Sequence, residues 1–173
     1  ELARYLAQEM RPAFERLGFV CTTLTHPEAK APFLYAERLE DPASPTVFGY
    51  GHGDVIRGLE PEWHPGLSPW TLTERNGLWY GRGVADNKGQ HSINIAAMQQ
   101  VLDTRGRLGF NAKMLIEMGE EAGSPGLHAF CERHRDLLRA DLLIACDGPR
   151  VSASRPTLFL GSRGGVNFSL RVR

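Results

Sequence analysis

The sequence has few cysteines, no net charge and no long apolar run. Its three cysteines, Cys21, Cys131 and Cys146, lie far apart without paired spacing, so neither a disulfide framework nor a zinc knuckle is implied. We interpret them as buried thiols in a reducing, cytoplasmic compartment. Twenty basic and twenty acidic side chains cancel, which argues against nucleic acid or an anionic membrane as the main partner. No apolar run approaches the length of a membrane span, and the chain starts with an amphipathic pattern, not a signal peptide.

The order of the predicted elements indicates one compact α/β domain, for which 173 residues suffice. Apolar residues recur every three or four positions over residues 2–17, which predicts an amphipathic helix, although Pro12 conflicts with that pattern. Further helices are predicted from residue 89 and over residues 126–138, and strands over residues 19–24, 33–39, 46–50, 111–118, 141–146, 157–160 and 166–172. This alternation predicts a three-layer sandwich with a mostly parallel central sheet and helices on both faces.

Residues 57–78 are rich in proline and tryptophan and have no sustained period. We predict a long ordered loop there. Loops of this length inside a compact domain are usually functional, and aromatic side chains let such a loop pack on itself while it frames a cleft. We interpret Trp63 and Trp70 as packing residues first and as cleft walls second.

Several glycines surround a single carboxylate, Asp86, within residues 80–91. An apolar run passes into the next helix at this point, which is where open α/β sheets place their binding sites. Taken alone, Asp86 could equally cap that helix. His91 lies one turn into the helix, and we interpret it as a helix-face hydrogen-bonding residue in preference to a metal ligand.

Candidate metal ligands follow the predicted strands at four separate strand ends. They are His52 with Asp54, Asp86, Glu120 with Glu121, and Asp147. Because the carboxyl ends of parallel strands meet at one edge of a sheet, we expect these side chains to converge. Converging carboxylates repel one another and raise one another's pKa unless a cation lies between them, which favours one or two metal ions. Oxygen donors mixed with imidazole suit zinc, manganese or cobalt, and a carboxylate can bridge two ions.

Two of the candidates, Glu120 and Glu121, are adjacent. Neighbouring side chains in an extended segment point to opposite sides. One of the two can therefore bind metal while the other faces the substrate and transfers protons.

Four motifs occur in an order that resembles a known enzyme family. They are Gly51-His52-Gly53-Asp54-Val55, Gly81-Arg82-Gly83-Val84-Ala85-Asp86-Asn87-Lys88-Gly89, Gly119-Glu120-Glu121 and Cys146-Asp147. Over nearly its whole length the chain resembles the co-catalytic zinc peptidases, the family of acetylornithine deacetylase, succinyl-diaminopimelate desuccinylase, glutamate carboxypeptidase and carnosinase.

The resemblance implies a metal ligand set and two divalent ions, zinc in the first place and manganese or cobalt as alternatives. His52 and Asp147 would bind one ion, Glu121 would bind the second, and Asp86 would bridge both. The cis peptide bond of the family would fall at Asp86–Asn87.

The resemblance also implies a mechanism. Asp54 would orient His52, and Glu120 would be the general base that acts on a metal-bridged hydroxide and returns a proton to the leaving amine. Aspartate at position 147 resembles the dipeptidase and aminopeptidase branch, which includes carnosinase, more than the deacylase branch.

The resemblance divides the chain into two parts. Residues 1–161 would be the N-terminal part of the catalytic domain, and residues 162–173, with Arg163-Gly164, would begin a smaller lid domain through which the full-length protein dimerises. The last metal-ligand histidine and the lid histidine of the family have no match in these 173 residues. We therefore expect the 173 residues alone to bind the second ion weakly and to turn over little or no substrate.

The predicted function is hydrolysis of an amide bond in a dipeptide or small peptide. An alternative keeps this chemistry but takes N-acyl amino acids, as deacetylases and desuccinylases do. A second alternative is an inactive metal-binding module on the same fold, which the presence of Glu120 disfavours. A two-metal phosphoesterase is disfavoured because such sites usually contain additional histidines.

Overall fold

The fold is built on a mixed five-stranded sheet with strand order β1-β2-β6-β3-β7 and a separate β4-β5 hairpin. The computed structural model describes residues 1–148, 150–152, 154–161, 164, 166 and 168–172. The strands are β1 Val20–Leu24, β2 Phe33–Arg38, β3 Thr46–His52, β4 Thr73–Arg75, β5 Leu78–Tyr80, β6 Asn111–Glu117 and β7 Leu142–Ala145. The helices are α1 Leu2–Tyr5, α2 Arg11–Arg16, α3 Lys88–Arg105, α4 Leu127–Arg133 and α5 Arg135–Leu138.

Strand direction brings three strand ends to one edge of the sheet. β3 pairs in parallel with both β6 and β7, whereas β2 runs antiparallel to β6 and to β1. In the parallel register His52, the last residue of β3, lies opposite Glu117, the last residue of β6. The segments that follow β3, β6 and β7 therefore leave the sheet side by side.

Helices cover both faces of the sheet, so the predicted α/β sandwich is confirmed. The sheet is mixed and not mostly parallel as predicted, because two of its four strand pairings are antiparallel. Alternation along β6 places Met114 and Ile116 in one apolar cluster, with α2 and α3, and Leu115 in the other, with α4. Edge strand β7 is exposed along its length. None of the described helices combines the length and apolar character needed to cross a membrane.

The conflict between Pro12 and the N-terminal helical pattern is resolved by a π-helical turn at Leu6–Met10 between α1 and α2. In this turn the Arg11 N–H donates to the Leu6 carbonyl, five residues earlier. Pro12 then falls in the first turn of α2, immediately after the π-helical turn. The combined helix buries its apolar side.

Several sequence predictions need correction. Residues 57–78 are not loop throughout, because they contain a 3-10 turn at Glu60–Glu62 and strand β4. Asn76 and Gly77 both have positive φ and join β4 to β5 in the way that a two-residue hairpin requires. The helix predicted over residues 126–138 is broken at His134.

At the C-terminal end, residues 157–160 form no strand, and neither do the described residues of the range 166–172. Arg163, predicted to open a lid domain, lies outside the described residues. The three cysteines are free but only partly buried, so their prediction as buried thiols is wrong in degree.

Candidate metal centre

The site is centred on the imidazole of His52, which is completely buried at the end of β3. Its Nε2 atom lies 3.0 Å from Asp86 Oδ1, 3.5 Å from Asp147 Oδ2 and 3.8 Å from Glu120 Oε2. One imidazole nitrogen thus faces carboxylates from three different segments. Convergence of these four side chains was predicted from four strand ends of one parallel sheet, but Asp86 follows β5 of the separate hairpin and reaches the site from outside that sheet.

Three of these side chains form a group that fits a metal ion. Ligand atoms of His52, Asp86 and Asp147 all lie within 4.8 Å of one another. Two carboxylates held this close repel each other unless a cation lies between them. One imidazole nitrogen and two carboxylate oxygens are donors that zinc and manganese accept. The chemistry of the donor set therefore fits a divalent cation.

The second nitrogen of His52 supports this interpretation. His52 Nδ1 lies 3.3 Å from Asp54 Oδ1, yet it is buried and makes no well-aligned hydrogen bond. A proton on Nδ1, directed toward Asp54, would leave the Nε2 lone pair free for a cation. Buried position and orientation both suit a ligand imidazole.

Asp54 also holds the loop that carries the two glutamates. Its Oδ1 accepts the Glu120 N–H at 3.2 Å, and its Oδ2 accepts the Glu121 N–H at 3.0 Å. A single nearly buried carboxylate therefore ties the strand carrying His52 to the turn carrying Glu120. Asp54 is placed to orient both, without itself facing the cation.

Glu120 borders the centre as a proton-transfer group would. Burial raises the pKa of its carboxyl group, and the negative charges of Asp147, Glu121 and Asp54 add to this, while His52 opposes it. A raised pKa makes a carboxylate a better proton acceptor near neutral pH.

Glu121 is not brought into the three-residue group. It occupies a 3-10 turn, Glu120–Ala122, and not the extended segment from which opposite side-chain directions were predicted. Its side chain instead lines a neighbouring cleft.

That cleft has a volume of about 1040 Å³ and borders Asp54 and Glu121. Leu59, Pro69 and Trp70 line it, which confirms that the loop frames a cleft. Trp63 packs against Arg82, whose guanidinium carbon lies 5.8 Å from the ring centre. Trp70 thus forms part of the cleft wall, and Trp63 packs behind it against Arg82.

Lys88, at the start of α3, also lines the cleft. Its Nζ donates to the Gly53 carbonyl, and burial lowers its pKa while the Asp54 charge opposes that shift. This contact fixes the segment between His52 and Asp54 against α3.

Asn87 is a site residue that sequence reasoning missed. It is completely buried, and the predicted cis peptide bond between Asp86 and Asn87 is confirmed. Asn87 Oδ1 accepts the His52 N–H at 3.1 Å, and Asn87 Nδ2 donates to the Cys146 carbonyl at 2.8 Å. Its place directly after Asp86 and at the start of a helix was the available signal.

Glu117, at the end of β6, was missed as well. It is buried, and its Oε1 accepts hydrogen bonds from the Tyr50 hydroxyl at 2.5 Å and the Ser124 hydroxyl at 2.7 Å. The Ser124 hydroxyl therefore binds a strand end and does not cap α4. Glu117 holds the far side of the turn that carries Glu120. An acidic residue within an apolar strand was the signal for this role.

Comparison with known proteins gives consistent results. Residues 49–158 match the family model described as peptidase family M20/M25/M40. The chain is 37% identical over 145 residues to a Beta-Ala-His dipeptidase of Mus musculus, covering 82% of the chain and 29% of the relative. It is 35% identical over 168 residues to a succinyl-diaminopimelate desuccinylase of Maricaulis maris, covering 94% of the chain and 41% of the relative.

A solved structure agrees in fold. The crystal structure of human carnosine dipeptidase 1 superposes with a TM-score of 0.80 at 31% identity, over 87% of this chain and 34% of that one. The chain therefore spans less than half the length of each of these relatives.

Proposed function

The chain belongs to peptidase family M20/M25/M40, and we propose that the protein is a metal-dependent hydrolase that cleaves the amide bond of a dipeptide or small peptide. The observation that carries this proposal is the approach of three carboxylates to His52 Nε2, with Asp86 at 3.0 Å, Asp147 at 3.5 Å and Glu120 at 3.8 Å. Two of them suit metal binding, and the third is free to transfer a proton.

Four side chains would hold two divalent ions, for which we propose zinc, with manganese or cobalt as alternatives. His52 and Asp147 would bind the first ion, Glu121 would bind the second, and Asp86 would contribute to both. When bound, such ions polarise the scissile carbonyl and lower the pKa of water. The three-residue group supports the first ion, whereas the second ion rests on the resemblance to the co-catalytic zinc peptidases.

The remaining residues supply proton transfer and positioning. Glu120 takes a proton from the attacking water and returns it to the leaving amine. Its raised pKa suits both steps. Asp54 keeps the Nδ1 proton of His52 in place and holds the backbone of the turn at Glu120, so that base and ligand keep one geometry.

Finer features of the protein belong to the same proposal. Residues 162–173 begin a lid domain that completes the second metal site and forms a homodimer, and the 173 residues alone turn over little or no substrate. A cytoplasmic location stays a prediction from the cysteines.

Dipeptides are the first substrate class because Asp147 stands at the position that separates the two branches of the family. The identity to the Mus musculus dipeptidase supports this choice. A deacylase acting on N-acyl amino acids is the second candidate, supported by the 35% identity to the Maricaulis maris desuccinylase.

A paired hydrolysis assay tests the proposal. The protein together with its proposed lid domain, loaded with Zn²⁺, is given a panel of dipeptides that includes β-Ala-His and, separately, N-succinyl-diaminopimelate. The same form of the protein is used in every hydrolysis measurement. We expect cleavage of at least one dipeptide that stops with EDTA, and loss of activity in Glu120→Gln with metal content retained. Preferential cleavage of the succinyl compound would move the assignment to the deacylase, and bound metal without turnover of any amide would favour an inactive module.

A further inference from the structure

A chain of buried hydrogen bonds runs from the N-terminal helix to the metal centre. His91 in α3 is 1% exposed. Its Nδ1 lies 3.0 Å from Asn87 Oδ1, and its Nε2 lies 2.6 Å from the Tyr5 hydroxyl oxygen. Neither His91 nor Tyr5 faces the carboxylates that surround His52 Nε2. Both can therefore affect the metal ligands only through Asn87.

Two backbone groups fix the orientation of the Asn87 amide. Oδ1 accepts the His52 N–H, and Nδ2 donates to the Cys146 carbonyl. Exchanging Oδ1 and Nδ2 would place the Nδ2 donor against the His52 N–H and the Oδ1 acceptor against the Cys146 carbonyl. Nδ2 also donates to Gln90 Oε1 at 2.6 Å, in agreement with the same orientation.

The fixed amide determines the tautomer of His91. Asn87 Oδ1 can only accept, so His91 Nδ1 must carry a proton and donate it. In the neutral imidazole His91 Nε2 then has a lone pair, which accepts from the Tyr5 hydroxyl. The direction of every hydrogen bond from Tyr5 to Asn87 follows from the two backbone contacts.

Asn87 contacts all three segments that carry the ligand group. It is bonded directly to Asp86, it holds the backbone N–H of His52, and it holds the carbonyl of the residue before Asp147. A small rotation of its amide would shift three ligands relative to one another. Whatever fixes Asn87 therefore fixes the ligand geometry.

Strand β3 makes room for this arrangement at Gly51. A Cβ atom at that position would lie 2.9 Å from His91 Nδ1 and 3.0 Å from Asn87 Oδ1. Both distances are closer than side-chain carbons normally come. The imidazole and the amide thus pack against bare backbone, which holds them in one position.

We propose that His91 is a positioning residue of the metal centre, which donates its Nδ1 proton to Asn87 and is held in that tautomer by the Tyr5 hydroxyl. This inference rests on the proposed metal-dependent function. The ligand concerned is a divalent cation at His52, Asp86 and Asp147. Without the imidazole, Asn87 is held less firmly. The ligand atoms of His52, Asp86 and Asp147 then lose their fixed positions relative to one another, and the cation binds more weakly.

The test compares two amides that replace different halves of the ring. Asparagine at position 91 places an N–H donor near the Nδ1 position, whereas glutamine places its amide near Nε2 and leaves Asn87 without its donor. The variants His91→Asn, His91→Gln and Tyr5→Phe are titrated with Zn²⁺ by calorimetry. Urea unfolding in EDTA is measured in parallel. His128→Asn is the matched control, because that side chain is 91% exposed on α4.

We expect His91→Gln to lower Zn²⁺ affinity by about 10–100-fold, the usual effect of removing an outer partner of a metal ligand. His91→Asn should restore most of that loss, Tyr5→Phe should fall between the two, and the control should match the unaltered protein. Nitrogen-15 NMR of the imidazole should show a protonated Nδ1 and an unprotonated Nε2.

Three outcomes would overturn the inference. One is equal Zn²⁺ affinity in His91→Gln and the unaltered protein, with lower stability alone, which would leave His91 a packing residue and the proposed function intact. Another is a proton on Nε2, which would reverse the hydrogen bonds. The third is absence of Zn²⁺ binding by the unaltered protein, which would remove the proposed function together with this inference.

Discussion

Asp54 Oδ1 lies 3.3 Å from His52 Nδ1, on the buried side of an imidazole whose other nitrogen faces three carboxylates. The same Asp54 carboxylate accepts the backbone N–H groups of Glu120 and Glu121. This relationship couples the ligand to the base, because displacement of one requires displacement of the other through Asp54.

Substitution of Asp54 tests that coupling. Asp54→Asn keeps the size of the side chain but has one acceptor oxygen where the two N–H groups of the turn need two. We expect hydrolysis to fall by about 10–100-fold and the free energy of unfolding to fall by about 1–3 kcal/mol. Steady-state kinetics and urea unfolding measure the two effects. Asp136→Asn, on the exposed surface of α5, should change neither, and an unchanged kcat in Asp54→Asn would contradict the coupling.

Glu117 tests the support on the far side of the same turn. Glu117→Leu leaves the hydroxyls of Tyr50 and Ser124 without their shared acceptor. We expect a cost of about 1–3 kcal/mol for each hydroxyl left unpaired, measured by urea unfolding. Glu117→Gln retains an acceptor oxygen and should cost less. Glu62→Leu, at an exposed position, is the control, and equal stability of the Leu and Gln variants would refute the assigned role.

The stability of the protein should depend on pH through His91. Burial, with smaller contributions from Lys88 and His52, lowers the pKa of His91 from 6.5 to about 4. In the unfolded chain the imidazole binds a proton near pH 6.5, whereas in the folded chain it does not until near pH 4. The unfolded state therefore binds more protons in this window, and stability present above pH 6.5 is lost as the pH falls.

The size of this effect follows from the shift. At about 1.4 kcal/mol for each pKa unit, the loss attributable to His91 is about 3 kcal/mol. Urea unfolding in EDTA at several pH values should show a shallower pH dependence for His91→Asn than for the unaltered protein. Parallel curves for the two proteins would contradict the assignment.

Gly51 provides a test of the packing around Asn87. Gly51→Ala places a Cβ within 3.0 Å of both His91 and Asn87, so one of these side chains must move. Overpacking of this kind costs about 1–3 kcal/mol, and we expect weaker Zn²⁺ binding in addition. Gly161→Ala is the matched control, because a Cβ there would meet no atom of the described residues within 4 Å. Unfolding and calorimetric titration that show no difference between the two variants would mean that the site tolerates the shift.

The sequence allowed the sheet edge and its ligands to be predicted because both depend on local patterns. His52 and Asp147 stand at the ends of β3 and β7, which run parallel, so their convergence follows from the sheet. Asp86 follows β5 of the separate antiparallel hairpin, so its position was predicted correctly but for a reason that the structure does not support. The cis peptide at Asp86–Asn87 came from the family resemblance alone. Glu120 next to the ligands was likewise expected from its place after β6.

What could not be predicted depends on contacts between distant segments. Asn87 and His91 are linked to Tyr5, 86 residues from His91, and no periodicity reports such a contact. Helix propensity indicated that Pro12 conflicts with the helical pattern. It could not predict that a π-helical turn before Pro12 would accommodate the proline. Strands over residues 157–160 and 166–172 were predicted from apolar content, but a strand also needs a neighbour to pair with.

The most direct test of the account is Zn²⁺ binding measured by calorimetry, with metal content after dialysis, in the protein and in Asp86→Asn, Asp147→Asn, Glu121→Gln and Glu120→Gln. We expect the two aspartate variants to lose the tightly held ion, because each removes a donor of the His52 group. Glu121→Gln should weaken a second, looser ion. Glu120→Gln should keep the metal content of the unaltered protein while losing hydrolysis. Unchanged binding in Asp86→Asn and Asp147→Asn would contradict the metal centre.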